Sequence, residues 1–170
     1  SSLIAKNLSK KGYTVKILDA EAEFLDHKET AERIIKENPK LAVYVIYGQQ
    51  PSASTQCMPG GRKTALLVNE KSNNEIPSIV MGTHASALPK RTLIEEPYNY
   101  VCQGEGPVTI EKLLIEIKNG TKKYNLIPGL WYEEDGEIKN NKPASMFENL
   151  DENLPGQAWE LLDLKKYKAH

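Results

Sequence analysis

The chain has 170 residues, and its 22 Lys and Arg nearly balance its 23 Asp and Glu, for a formal net charge of −1. This length suits one domain with an ordinary core and a tail, and it excludes a second complete catalytic domain. The charge excludes the basic surface that nucleic-acid binding requires. No apolar run reaches the roughly 18 residues of a membrane span, and no secretory signal opens the chain, so we expect a cytosolic (cytoplasmic) protein.

Apolar residues at helical and strand spacing divide the first half of the chain into alternating helices and strands. Gly12 suits the end of the first helix, and Pro39 ends the second, because proline disfavours helix at the residue before it. The predicted elements are, in order, a helix from Leu3 to Lys11, a strand from Tyr13 to Leu18, a helix from Lys28 to Asn38 and a buried strand from Leu41 to Tyr47.

The next segment, from Ser54 to Lys71, combines loop and helix signals. The run Pro59-Gly60-Gly61 breaks the helical pattern, so we predict a loop first and a helix mainly from Arg62 onward. The elements predicted after it are a strand from Ser78 to Met81, a short helix near Lys90 to Glu95, a strand from Tyr98 to Cys102 and a helix from Pro107 to Asn119.

Helices and strands that alternate with short connections form an α/β domain with right-handed crossovers. We therefore predict a three-layer Rossmann-like or flavodoxin-like sandwich over residues 1–125, with a parallel sheet and helices on both of its faces. A doubly wound domain normally opens with a strand, whereas this chain opens with a predicted helix. We expect the first strand of the fold to lie outside this sequence.

The pattern changes after residue 125. Two short segments, Gly129 to Tyr132 and Glu137 to Lys139, flank Asp135-Gly136, which is a good hairpin signal. The remainder, Asn141 to His170, is rich in Pro, Asn and charge. Its apolar anchors are Trp159, Leu161 and Leu162. We predict a β-hairpin and a connecting segment over residues 126–170, packed on the domain or on its neighbour.

In a parallel sheet, the turns after the strands meet at the carboxyl edge and line the ligand cleft. Four turns of this chain qualify, and small residues in them let a ligand approach the backbone. Each glycine there could serve a ligand or a positive φ, and each serine could bond a ligand or cap a helix. The candidate binding residues are Asp19, Gly48, Gln49, Ser52, Gly82, Thr83, His84, Ala85, Ser86, Gly104, Glu105 and Gly106.

No set of residues indicates catalysis or a metal site. Cys57 and Cys102 are the two cysteines, and neither belongs to a Cys-x-x-Cys pair or to a Cys/His cluster with metal spacing. No Ser/His/Asp or Cys/His set can be assembled. We assign no catalytic residue and no metal ligand, and we expect no disulfide in a reducing cytosol.

Two stretches of the sequence carry a family resemblance. The first runs from Ile79 to Pro89 and is closest at His84-Ala85-Ser86-Ala87-Leu88-Pro89, and the second is Gly104-Glu105-Gly106. They resemble the cobalamin (B12)-binding domain of radical S-adenosylmethionine proteins, in particular the anaerobic magnesium-protoporphyrin IX monomethyl ester cyclase-like group. The resemblance covers nearly the whole chain. It departs at Met81 and Thr83, where the family usually has Gly and Pro.

This resemblance implies a cobalamin cofactor at the candidate residues, with cobalt as a methyl carrier in much of the family. It also implies a radical S-adenosylmethionine barrel farther along the same polypeptide, which would hold a 4Fe–4S cluster, S-adenosylmethionine and a small-molecule substrate. This part alone would bind without catalysing. The Asp-x-His-x-x-Gly motif of proteins that ligate cobalt through histidine is absent. His84 therefore stays open between a cofactor contact and a polar residue bonded to backbone in a turn.

Two other interpretations remain open. The fold could persist without its cofactor, as a structural or partner-binding module, because Met81 would put a bulky side chain at the place of a corrin or its tail. A flavin-binding domain of similar architecture is the other. A nicotinamide cofactor is poorly supported, since the run from Gly104 to Thr109 lacks the third glycine of a dinucleotide fingerprint.

Overall fold

The computed structural model describes residues 1–48, 51–145 and 156–167. The chain forms two compact units. The terminal unit comprises residues 1–26 together with the described part of 145–170, and the sheet unit comprises residues 27–144. Each unit is described by itself below. No helix in the described ranges combines the length and the apolar character that crossing a membrane requires.

The sheet unit contains one five-stranded mixed sheet with strand order β1-β2-β3-β4-β5. The first three strands are parallel, and the last two are antiparallel to their neighbours. This confirms the predicted α/β class and corrects the sheet from parallel to mixed, because the hairpin continues the same ladder. The strands are β1 (Ala42–Val45), β2 (Ser78–Met81), β3 (Tyr100–Cys102), β4 (Leu130–Glu134) and β5 (Glu137–Asn140).

Six α-helices accompany the strands in the described residues. Four predicted helices are confirmed to within one or two residues, and the short α4 was not predicted because five residues are too few to show a helical period. The helices are α1 (Ser2–Lys10), α2 (His27–Glu37), α3 (Pro51–Lys71), α4 (Thr83–Ala87), α5 (Pro89–Glu95) and α6 (Gly106–Asn119). Three 3₁₀ turns lie at Tyr124–Leu126, Trp159–Leu161 and Leu164–Lys166.

Alternate residues of β3 serve two sets of contacts, as the two-residue period of a strand requires. Val101 is fully buried in a cluster that includes side chains of β2, α3 and α4. The neighbouring Cys102 points to the opposite face, where the Thr109 hydroxyl of α6 lies within hydrogen-bonding reach of its thiol. The cluster around Val101 consists of Ile46, Met58, Ala65, Val80, Ala85 and Tyr98.

The predicted loop before Arg62 is wrong, because α3 runs without interruption from Pro51 to Lys71 with Pro59 inside it. The glycine that suggested a turn serves close packing instead. A Cβ on Gly61 would lie 2.4 Å from Ile46 Cδ1 and 2.8 Å from Tyr98 Oη. Burial against the sheet therefore outweighs the weak local preferences for ending the helix.

The predicted strand from Tyr13 to Leu18 is also wrong, since the segment belongs to no helix or strand. Its exposure does alternate, with Thr14 and Lys16 exposed and Val15 and Ile17 half-buried. A strand needs a hydrogen-bonded partner as well as alternation, and none of the described strands pairs with this segment.

The predicted hairpin is confirmed. Asp135 and Gly136 have φ values of 55° and 79°, and two consecutive positive φ values are what a type I′ hairpin turn requires. Glu134 pairs with Glu137 at the closing position, and β4 in turn pairs with β3 through Trp131 and Val101. The turn chemistry is local, so the sequence was sufficient to find it.

The last described segment belongs to the terminal unit and packs beside α1. The Ala158 N–H donates to the Ser2 carbonyl at 3.2 Å, and Lys6 pairs with Glu160 at 2.5 Å. Ala158 is fully buried, whereas Trp159 is 58% exposed. Within this unit the small side chain of Ala158 occupies the buried position, and the anchoring role of Trp159 stays a prediction.

Candidate functional site

The carboxyl ends of β1, β2 and β3 meet at one edge of the sheet, as in all parallel arrangements. Three segments follow these strands there, residues 46–48, 82–86 and 103–106, and we call them the carboxyl-edge turns. They contain most of the predicted binding residues. Gln49 lies outside the described residues, and Asp19 belongs to the terminal unit.

Gly82 occupies the most constrained of these turns. Its φ of 149° and ψ of 177° fall in a region that is essentially restricted to glycine. A Cβ there would lie 1.9 Å from the Ile46 carbonyl oxygen. Glycine is thus required here by the close approach of two backbones, whether or not a ligand also contacts it.

A buried hydroxyl holds this turn together. Ser54 is fully buried on α3, and its Oγ donates to the Ile46 carbonyl at 2.7 Å. The same oxygen accepts the His84 backbone N–H at 3.2 Å. One serine therefore joins the end of β1, the first turn of α4 and α3.

The imidazole of His84 is also committed to a protein partner. Its Nδ1 lies 2.9 Å from Thr55 Oγ1, a side chain on α3 and not the backbone group that the simpler hypothesis expected. Thr83 and His84 are half-buried, and Ala85 is buried. The pair fixes the orientation of the ring, since one ring nitrogen is already engaged.

The turns after β2 and β3 are bonded to each other. The Gly104 N–H donates to Ser86 Oγ at 3.2 Å, and the Gln103 side-chain amide donates to the Ser86 carbonyl at 3.4 Å. Trp131 Nε1 donates to Gln103 Oε1 at 2.9 Å. The structure thus adds Gln103 and Trp131 to the site, and no sequence motif marked either of them.

The remaining predicted residues present backbone and hydroxyl groups. Gly48 and Ser52 are exposed, and Gly104 is exposed with a φ of 86°. The helix that starts at Gly106 has Glu105 at its N-cap, and no side chain there caps the free N–H groups. Uncapped N–H groups at a helix start favour an anionic group.

Tyr47 is an aromatic member of this edge that sequence analysis did not select. Its side chain is 52% exposed at the end of β1. Partial burial is the main cause that raises the pKa of Tyr47, and electrostatic interactions with Cys102 and Glu105 raise it further. An aromatic residue between a buried strand and a glycine was the available signal, because it puts a large side chain at the ligand edge.

Met81, which departs from the family pattern, does not obstruct the edge. It is the last residue of β2 and only 5% exposed. Its side chain therefore fills the protein interior, which removes the main observation that favoured a module without a cofactor. No group of three His, Cys, Asp or Glu side chains that could hold a metal ion occurs within the described ranges.

The two thiols should differ sharply in reactivity. Cys57 is exposed and Cys102 is buried, and burial raises the pKa of Cys102 to about 11. Because the thiolate is the reactive form, we expect one thiol per native chain to react with a chromogenic disulfide reagent at pH 8. Cys57→Ser should abolish this reaction and Cys102→Ser should preserve it. Two thiols that react at equal rates in the native protein would contradict the burial of Cys102.

The raised pKa also has a consequence for stability. The folded chain holds the Cys102 proton more tightly than the unfolded chain, whose thiol has an ordinary pKa of 9.0. The stabilisation of the folded chain by the Cys102 thiol is therefore complete below about pH 9, and it is lost as the pH rises through 11.

Comparison with known proteins identifies the family. The B12 binding domain family matches residues 2–114, and the chain belongs to this family. It is related to the B12-binding domains of cobalamin-dependent radical S-adenosylmethionine enzymes.

Two curated relatives cover most of the chain. It is 31% identical over 159 residues to the uncharacterized methyltransferase PH0819 of Pyrococcus horikoshii. It is 32% identical over 164 residues to the anaerobic magnesium-protoporphyrin IX monomethyl ester cyclase of Synechocystis sp.. These matches cover 92% and 94% of this chain but 32% and 30% of the relatives. The chain thus spans about a third of their length.

Solved structures share the fold. The cobalamin-dependent S-adenosylmethionine radical enzyme OxsB with aqua-cobalamin bound matches with a TM-score of 0.70 and 18% identity, over 94% of this chain and 21% of that one. The radical S-adenosylmethionine methyltransferase TsrM from Kitasatospora setae, with cobalamin and a 4Fe–4S cluster bound, matches with a TM-score of 0.67 and 18% identity, over 86% and 26%. The fold is therefore the Rossmann-like fold of B12-binding domains.

Proposed function

We propose that this chain binds cobalamin at its carboxyl-edge turns, as the cofactor-binding domain of a radical S-adenosylmethionine enzyme. The observation that carries the proposal is the family match over residues 2–114, a range that includes all three turns. The position agrees with the general rule that ligands of such sheets bind beyond the carboxyl ends of the strands.

The residues at this edge suit cobalamin chemically. A corrin with a nucleotide tail needs backbone that it can approach closely, and Gly48 and Gly104 are exposed there. The tail phosphate needs N–H donors, and the start of α6 after Glu105 has no side-chain cap. Ser86 adds a hydroxyl that bonds the Gly104 N–H. The uncapped start of α6, the Ser86 hydroxyl and the exposed glycines thus all belong to the carboxyl-edge turns.

The candidate residues differ in how freely they could contact the cofactor. Ser52, Gly104 and Glu105 are exposed and are the ones we assign to direct contact. Gly82, Thr83, His84 and Ala85 would shape the turn. His84 already bonds Thr55 and Ser54, and Gly82 and Ala85 are buried. Asp19 lies in the terminal unit, where its carboxylate already accepts a hydrogen bond from the Tyr167 hydroxyl at 2.7 Å. We assign no axial ligand to cobalt.

The rest of the enzyme is part of the same proposal. The curated relatives are about three times as long as this chain, and we propose that a following barrel holds the 4Fe–4S cluster, S-adenosylmethionine and a small-molecule substrate. Residues 1–125 would form the cofactor domain, a three-layer sandwich completed by a further strand, and 126–170 would lead to the barrel. Bound cobalamin would supply a cobalt that carries a methyl group, for methyl transfer or for cyclase-type chemistry.

The test is a titration of the chain with hydroxocobalamin, followed by desalting and an absorbance spectrum. We expect retained corrin at about one per chain. Gly104→Asn should weaken retention at least about tenfold, equivalent to about 1.4 kcal/mol, because it adds a side chain at the exposed turn while keeping a residue that tolerates positive φ.

Gly120→Asn is the matched control. Gly120 is an exposed glycine with a φ of 67° at the other end of α6, and a Cβ there would meet nothing within 4 Å. It should leave retention unchanged. A folded wild-type protein that stays colourless would overturn the cobalamin proposal and leave the structural or partner-binding module, while a yellow chromophore would favour flavin.

A further inference from the structure

Gln103 is the residue through which three elements meet at the proposed site. Its backbone N–H donates to the Gly129 carbonyl at 2.8 Å, which fixes the end of β3 to the segment before β4. Its side chain bonds Trp131 on β4 and the Ser86 carbonyl at the end of α4. The following residue, Gly104, bonds the Ser86 hydroxyl.

The donor and acceptor chemistry of these groups allows one orientation of the amide. The indole N–H of Trp131 can only donate, so it must face the Gln103 oxygen. The amide nitrogen then faces the Ser86 carbonyl, which can only accept. Both ends of the Gln103 side chain are satisfied in this arrangement and in no flipped one. The Gln103 side chain therefore links β4 to the turn at residues 82–86 in a single amide orientation, and we call this hydrogen-bonded link the strut.

The backbone beside this strut is equally restricted. A Cβ on Gly129 would lie 2.5 Å from the Gln103 carbonyl oxygen, and its φ is 70°. The hairpin thus approaches β3 as closely as glycine allows. Gln103 and Trp131 also line an open groove of about 520 Å³ with Leu88 and Pro89, so the strut lies at the surface of the edge and not deep in the core.

We propose that Gln103 is a positioning residue for cobalamin, which holds the turns at 82–86 and 103–106 in the spacing that the cofactor needs and is itself oriented by Trp131. This inference rests on the proposed function. Gln103 acts through Ser86 and Gly104, the residues that present the hydroxyl and the exposed backbone. Preorganised turns bind more tightly because less ordering is left to occur on binding.

The decisive variants change one hydrogen bond at a time. Gln103→Glu keeps an acceptor for Trp131 but places a carboxylate oxygen against the Ser86 carbonyl. Trp131→Phe keeps an aromatic ring and removes the indole N–H. Each should weaken hydroxocobalamin binding about tenfold, measured from corrin absorbance retained at equilibrium. The double variant should bind no more weakly than the weaker single one, because either change alone interrupts the connection from Trp131 through Gln103 to Ser86.

Tyr124→Phe is the control for a purely structural role. The Tyr100 hydroxyl donates to the Tyr124 hydroxyl at 2.9 Å, and this bond also joins two segments of the sheet unit away from the turns. Loss of this hydrogen bond should lower the thermal midpoint of unfolding about as much as Gln103→Glu does. The dissociation constant for hydroxocobalamin should stay unchanged. If Gln103 had a structural role alone, Gln103→Glu would lower the thermal midpoint of unfolding in the same way and leave the dissociation constant for hydroxocobalamin unchanged.

The outcomes separate the two proposals. If wild-type protein binds hydroxocobalamin and both Gln103→Glu and Trp131→Phe bind within twofold of it, the positioning role is overturned and the cofactor role stands. If the two single variants weaken binding additively, the link between Trp131 and Gln103 is overturned. If folded wild-type protein binds no hydroxocobalamin, both proposals fail together. Trp131→Phe also provides the measurement should Gln103→Glu not fold.

Discussion

Gly82→Ala should lower the free energy of unfolding by about 3 kcal/mol or more, because it combines backbone strain with a steric overlap. The added Cβ would sit 1.9 Å from the Ile46 carbonyl oxygen, a backbone atom that cannot rotate away. That oxygen is held in place by Ser54, so relief of the overlap would also break a buried hydrogen bond. Urea denaturation followed by far-ultraviolet circular dichroism measures the loss.

Gly136→Ala separates strain from overlap. Gly136 also has a positive φ, 79°, but a Cβ there would meet nothing within 4 Å. It should cost about 1 kcal/mol, the ordinary penalty for a left-handed alanine. Similar losses for the two variants would mean that the Ile46 carbonyl can move aside, and the close approach of the two backbones would then not explain the glycine.

The second large effect is expected from Ser54→Ala, at about 2 kcal/mol of unfolding free energy. The serine is fully buried and serves as donor to the Ile46 carbonyl and as acceptor for the His84 N–H. Alanine leaves both backbone groups without this partner, in a place where water has little access. Thermal and urea denaturation should agree on the loss.

Ser72→Ala is the matched control for that prediction. The Ser72 hydroxyl is also buried, but it bonds no atom in the described part of the chain. Its removal should be nearly neutral or slightly stabilising, since no partner is left behind. A loss for Ser54→Ala no larger than that for Ser72→Ala would indicate that water replaces the missing hydroxyl.

Long periodic elements were predictable from the sequence. The helices α2 and α6 and the strands β1 and β2 were found within one or two residues. The helices show an apolar period on one face, and the strands show short continuous apolar runs. The hairpin was found from Asp135-Gly136, whose conformational preference is local. The helix start of α3 was missed, since the sheet surface that stabilises it past Pro59 is made by residues distant in sequence.

The site was predictable as a set of turns and not as a set of contacts. The order of strands and the switch-point rule brought the turns after β2 and β3 to one edge. The reason for glycine at position 82 depended on Ile46, which lies in another of the carboxyl-edge turns. Gln103 and Tyr47 carried no motif, because their importance lies in what they contact. Asp19 was selected by its place after a strand, and that strand does not form.

The hairpin also determines the chemistry of one outer edge of the sheet, the one opposite β1. In the described residues the ladder ends at β5, a four-residue strand that carries Glu137 and Lys139. Lys139 pairs with Glu134 on β4 at 2.5 Å, so charge of both signs lines the last rung. Short, charged outer strands discourage the addition of a foreign strand. Without the hairpin, β3 would be an apolar edge strand whose unpaired N–H and C=O groups could pair with another chain and promote aggregation. The hairpin makes β5 the edge strand instead, and β5 is short and charged.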